Sequence, residues 1–140
     1  MVISIYVAIL AFLFIALSIN VIKSRRLVGT AIGQGENLDL LRKIRAHANF
    51  SEYTPIFLII LAISELNGLH HYLLHFFGIL FLIGRFLHAY GVLYAEKYKG
   101  GKLQGGVRFR VRGMVCTFTS IGFLSLILLI QFIISSFFAT

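Results

Sequence analysis

The sequence predicts an all-α fold, an integral membrane four-helix bundle, and three observations carry that class. Apolar residues make up 59% of the 140-residue chain, and mean hydropathy is +0.91. Soluble domains average roughly 45–50% apolar residues, and a chain this short could not bury the excess in water. The apolar residues also form four runs, each near or above the roughly 20 residues needed to cross a bilayer. Finally, the net charge of +8 is concentrated in two connections between those runs. Basic residues placed there fix membrane topology. Nucleic acid, the usual partner of a basic soluble domain, is therefore rejected.

The first span covers about residues 2–22. No basic residue precedes it, and its apolar run is longer than a signal-peptide core, so it reads as a retained transmembrane helix. Asn20 stands near its end, followed by Lys23, Arg25 and Arg26. Gly29, Gly33 and Gly35 then punctuate a connection that ends near Asn37. The second span, about 38–66, begins basic and amphipathic and ends apolar. Pro55 removes one backbone hydrogen bond inside it and predicts a kink, which membrane helices tolerate. Asn67-Gly68 make a short turn into the third span, about 69–95. The connection 96–108 holds two Gly-Gly pairs among Lys97, Lys99, Lys102 and Arg108, and it reads as a loop. The fourth span, about 109–138, is almost wholly apolar after Arg112. With no internal repeat or low-complexity linker, residues 1–140 read as one domain.

The first and third connections carry Lys and Arg, and the second carries neither. By the positive-inside rule both basic connections are expected on the cytoplasmic side and both termini on the other. The lone cysteine, Cys116, lies in an apolar run, so no internal disulfide can form; it reads as a small packing residue.

Ionisable groups inside a bilayer are costly and usually face a bundle interior. Arg45, Asn49 and Glu52 step by four and then three, which stacks them on one helix face. Arg85 and His88, three apart on the third span, share a face as well. With Arg112 at the start of the fourth span and Asn20 on the first, all lie in the inner half of the membrane. The pattern predicts a polar pocket with excess cations, open to the cytoplasm and walled by helices. Such a pocket suits an anionic, water-soluble ligand working beside something apolar. Arg85 reads equally as an internal partner for Glu52 or another acid. His47 faces away from the stripe and reads as interhelical. His71 and His75 have a metal-like i, i+4 spacing but only Glu65 nearby, so they read as interfacial side chains, and no metal site is expected. A haem held by His47 and His88, or a transporter, are weaker readings.

Three segments carry a family resemblance. RKIRAHANFSEYTP, residues 42–55, resembles the signature of the MAPEG family (membrane-associated proteins in eicosanoid and glutathione metabolism). Its Arg-x-His-x-Asn-x-x-Glu core is met by Arg45, His47, Asn49 and Glu52. GRFLHAYG, residues 84–91, is similar to the third-helix motif, with Arg85 and His88 in the matching places. RVRGMVCT, residues 110–117, resembles the start of the fourth helix. Gly113 and Cys116 stand where some members have Ser and Tyr, and Val92 where a Tyr is usual.

The resemblance implies a homotrimer of four-helix subunits in a bacterial inner membrane, in contact with its lipids, with glutathione between neighbouring subunits on the cytoplasmic side. It implies that Arg45, Asn49 and Glu52 bind the peptide, Glu52 taking the amino group. His88 lines the site with Arg85, and Arg112 is the catalytic arginine facing the thiol. A free thiol has a pKa of about 8.5, and a nearby cation in a partly dry site lowers it. The expected activity is a glutathione-dependent transferase or peroxidase, with glutathione as co-substrate and a hydrophobic small molecule entering from the bilayer. Conjugation, isomerisation and peroxide reduction all stay open. The competing reading is a non-catalytic lipid-binding or scaffold member of the same family.

Overall fold

The computed structural model describes residues 1–137. Four helices form the bundle: α1 (Ile3–Val28), α2 (Leu38–Leu66), α3 (His71–Tyr90) and α4 (Arg108–Phe137). Each is long and apolar enough to cross a membrane. A π-helical turn, Gly91–Ala95, extends α3, and a two-stranded antiparallel hairpin follows: β1 (Lys97–Lys99) and β2 (Lys102–Gly105).

The outer surface is apolar, unlike that of a water-soluble bundle. Phe12, Ile15, Ile59, Phe123 and Phe132 all project outward and are more than half exposed. A surface of this kind belongs against lipid, and each helix satisfies its own backbone as lipid requires. Inside, Leu10, Phe50, Phe57, Leu61, Phe81 and Leu124 form a continuous core. Phe57 of α2 stacks on Phe81 of α3 with ring centroids 3.8 Å apart.

The closest helix approach is between α3 and α4, and glycine sets it. A Cβ at Gly113 would lie 2.5 Å from the His88 amide nitrogen and 2.7 Å from the Gly84 carbonyl oxygen. Small residues are how membrane helices bring backbones together. This explains glycine at position 113: a larger side chain has no room.

The sequence expectations and the structure differ at several ends. α1 runs to Val28 rather than about Ile22, so Lys23, Arg25 and Arg26 are helical, and Gly29 closes the helix in the left-handed region at φ 71°. Asn37 caps α2, its Oδ1 accepting from the Leu40 amide at 2.8 Å. The connection 96–108 is a hairpin and not an open loop. A turn glycine pair, Gly100-Gly101, lets alternating Lys-Tyr-Lys pair back on Lys102–Gly105. Residue 138, the expected end of the fourth span, lies outside the described residues.

At the end away from the hairpin, Glu65 of α2 accepts from the Val2 and Ile3 amides and so caps α1 from a neighbouring helix. Tyr6 donates to the His75 backbone oxygen at 3.1 Å and lies 2.8 Å from His75 Nδ1. His75 is thus an interhelical partner, whereas His71 is exposed. His47 lies 3.0 Å from the Ser18 hydroxyl on α1.

Candidate functional site

Three segments converge at the end of the bundle that carries both basic connections. They are the first half of α2, the end of α3 with its π turn, and the first turns of α4. Between them is a cavity of about 670 Å³, a volume that suits a small organic ligand. Arg42, Arg45, Asn49, His88, Glu96 and Arg110 supply its polar lining. Val111, Met114, Val115 and Phe118 form one apolar wall from α4. Helix α1 contributes no lining residue among those described. Asn20 and the basic end of α1 therefore stay outside this cavity, contrary to the expectation that all four helices share one pocket.

The three arginines differ in what already holds them. Arg42 donates to the Val92 carbonyl at 2.8 Å and to the Glu96 carbonyl at 3.2 Å, and its guanidinium lies 5.3 Å from the centre of the Tyr98 ring. The π turn aids this by adding a residue before the chain leaves the helix. Arg110 pairs with Glu96 at 3.0 Å, and Tyr98 donates to the other Glu96 oxygen at 2.6 Å. That hydrogen bond to a carboxylate, with burial second, raises the Tyr98 phenol above its ordinary pKa, so it stays a donor at neutral pH. Together these contacts fasten the hairpin over the cavity. Arg45 differs: it is exposed and makes no hydrogen bond or ion pair among the described residues.

Behind the cavity sits Arg85, 1% exposed. It donates to Asn49 Oδ1 at 2.9 Å and to the Thr117 hydroxyl. Its guanidinium lies 5.6 Å from the Tyr53 ring centre and 5.4 Å from that of Phe81. No carboxylate lies within ion-pair distance among the described residues, so neither Glu52 nor another acid is its partner. Arg85 does not line the cavity; it meets it through Asn49.

Of the residues expected to form the site, the fold thus brings Arg45, Asn49 and His88 onto one cavity, with Arg85 behind them. Glu52 and Arg112 lie elsewhere on the bundle. Both are exposed and without a side-chain partner among the described residues. Helical geometry explains Arg112. At 3.6 residues per turn, positions two apart point about 200° away from each other, so when Arg110 faces the cavity Arg112 faces outward. The site residues that sequence reasoning missed are Arg42, Glu96, Tyr98 and Arg110. Arg42 had a readable signal, since it lies three residues before Arg45 on the same face. Glu96 and Tyr98 gave none, because only the hairpin brings them back to the bundle.

Comparison with known proteins agrees with a four-helix membrane bundle. The chain is similar to the inner membrane protein YecN of Escherichia coli strain K12, 35% identical over 91 residues, which is 65% of this chain and 70% of that protein. The same protein from Escherichia coli O6:H1 strain CFT073 matches to the same extent. A model of the MAPEG family matches residues 3–132, nearly the whole bundle, hairpin included. The chain belongs to the MAPEG family.

Proposed function

We propose that this protein is a glutathione-dependent transferase or peroxidase of the bacterial inner membrane, acting on hydrophobic electrophiles. One observation carries the reading. The cavity joins a cationic rim, Arg42, Arg45 and Arg110, to an apolar wall, Met114, Val115 and Phe118. Glutathione has two carboxylates, an ammonium and a thiol. Guanidinium groups suit the carboxylates through bidentate, charge-assisted bonds, and the unpartnered Arg45 is the group best placed to offer them. The apolar wall suits a second substrate that arrives from the bilayer.

Glu52 and Arg112 enter this reading through a neighbour. They project from α2 and α4, where a second copy in a homotrimer would meet them. In that assembly Glu52 takes the ligand's ammonium and Arg112 holds the thiolate at a site shared between subunits. Both basic connections then face the cytoplasm, where glutathione is available, and both termini face away. The inner-membrane location rests on the name of the YecN relatives.

Glutathione titration of the detergent-solubilised protein, followed by thiolate absorbance, tests the proposal. Wild type is expected to bind and generate thiolate. Glu52→Gln should weaken binding, and Arg112→Ala should abolish the thiolate signal while leaving binding. The outward position of Arg112 in the protomer favours a second reading, a lipid-binding or scaffold member without thiolate chemistry. Binding with no thiolate in wild type selects it.

A further inference from the structure

We infer that Arg85 is a positioning residue whose task is to aim the NH2 group of the Asn49 amide into the cavity. The cavity floor then offers hydrogen-bond donors and no acceptor at that point. The ligand group it fits is an anionic or carbonyl oxygen, a carboxylate above all. The choice of glutathione as the probe rests on the function proposed above; the orientation of the amide does not.

The argument begins with donor and acceptor chemistry. A guanidinium has five N–H donors and no acceptor, whereas an amide offers both. Arg85 Nη1 lies 2.9 Å from the end of the Asn49 side chain. Whichever way that amide is turned, only its oxygen can face Arg85. The nitrogen must then occupy the other arm of the planar group. Asn49 lines the cavity, and its Nδ2 makes no hydrogen bond among the described residues. Nor is that nitrogen among the buried polar atoms left without a partner, so it keeps accessible surface.

Arg85 is itself held. Thr117 spends its hydroxyl hydrogen on the Gly113 carbonyl at 2.8 Å, which leaves its oxygen to accept from Arg85. The Tyr53 and Phe81 rings lie beside it, and the side chain is essentially sealed from solvent. A cation held this way also polarises the amide it touches and strengthens the amide's own N–H donors. The residue chosen at position 49 is informative. Aspartate would serve Arg85 better, because a buried cation without a carboxylate is costly. It would, however, turn an acceptor toward the ligand and repel a carboxylate. Asparagine forgoes that stabilisation and keeps the donors.

The test separates stability from binding. In the full-length protein in detergent, Asn49→Asp should raise the melting temperature by a few degrees, as the introduced carboxylate pairs with Arg85. The same substitution should weaken glutathione binding by roughly tenfold or more, the worth of a charge-assisted bond. A purely structural role for Asn49 would move binding and stability together. The gain in melting temperature should vanish when Asn49→Asp is combined with Arg85→Gln, read as a double-mutant cycle. A melting temperature that does not rise, or a rise that persists without Arg85, overturns the orientation. A rise with unchanged glutathione affinity overturns the donor role. Should wild type fail to bind glutathione, the proposed function falls, and the two melting-temperature results still decide whether Arg85 orients Asn49.

Discussion

The two ends of the bundle use the same polar chemistry and reach opposite results. At the end without basic connections, Glu65 takes the Val2 and Ile3 amides, and Tyr6 and His75 take each other. Each of those groups is answered within the protein, and the helices close on one another. At the basic end Glu96 is equally occupied, by Arg110 and Tyr98, but its neighbours are not. Arg45 has no partner among the described residues, and Asn49 keeps its amide nitrogen free beside a cavity. Polar groups that build structure close on each other. The groups facing the cavity keep unused hydrogen-bonding capacity, as a ligand site requires, beside paired neighbours such as Arg42 and Glu96.

The sharpest test of this contrast is Glu96→Ala. The Glu96 side chain is fully buried, whereas that of Arg110 is 38% exposed, so water partly compensates Arg110 once its partner is gone. The remaining loss is of charge-assisted hydrogen bonds, about 2 kcal/mol. Thermal unfolding in detergent should show the loss. Limited proteolysis should show new cleavage within residues 97–105, because the hairpin has lost its fastening. Glutathione affinity should fall as well. An uncleaved hairpin would mean that the Arg42 contacts alone hold it, and the comparison of the two carboxylates would fail.

Much of the fold could be read in advance because lipid leaves few choices. Four apolar runs must be four helices, since nothing else in this chain could satisfy its backbone in a bilayer. The Arg45, Asn49 and His88 part of the candidate site was only partly readable. Spacing of i, i+3 and i, i+4 puts side chains on one helix face, yet the same spacing grouped Glu52 with Asn49 and Arg85 with His88, and neither Glu52 nor Arg85 lines the cavity. Arg110 and Arg112 were harder, since motif resemblance names a stretch while helix phase decides which arginine faces inward. Glu96 and Tyr98 were out of reach for a different reason. Their position depends on a hairpin whose register comes from a Gly-Gly turn and on a π turn that shifts the chain by one residue. Both look like ordinary loop composition in sequence. The absence of α1 from the cavity lining was also illegible, because equal depth in the membrane does not imply contact.

At the closed end, Glu65→Ala removes the acceptor for two orphan amides at the start of α1. The expected cost is about 1 kcal/mol, typical of a lost helix cap. Glutathione affinity should not change, because the site is at the other end of the bundle. A fall in affinity comparable to that of Glu96→Ala would show that the two ends are coupled through α2.

The smallest effect concerns Tyr98 and its dependence on pH. Its hydroxyl donates to Glu96, which raises the phenol above its ordinary value of 10.0 in the folded protein. As pH rises, the unfolded chain loses this proton first, near pH 10. Below that point both states hold the proton and the hydrogen bond contributes in full. Above it the folded state alone retains the proton, so the contribution declines until the pH passes the folded pKa and is then lost. Tyr98→Phe should lower stability at neutral pH by no more than about 1 kcal/mol. The gap between variant and wild type should narrow above about pH 10. Melting curves of both proteins across that range measure the gap directly. A gap that stays constant through the alkaline range would mean that Glu96 is held by Arg110 alone, and the hairpin fastening would then rest on the arginines.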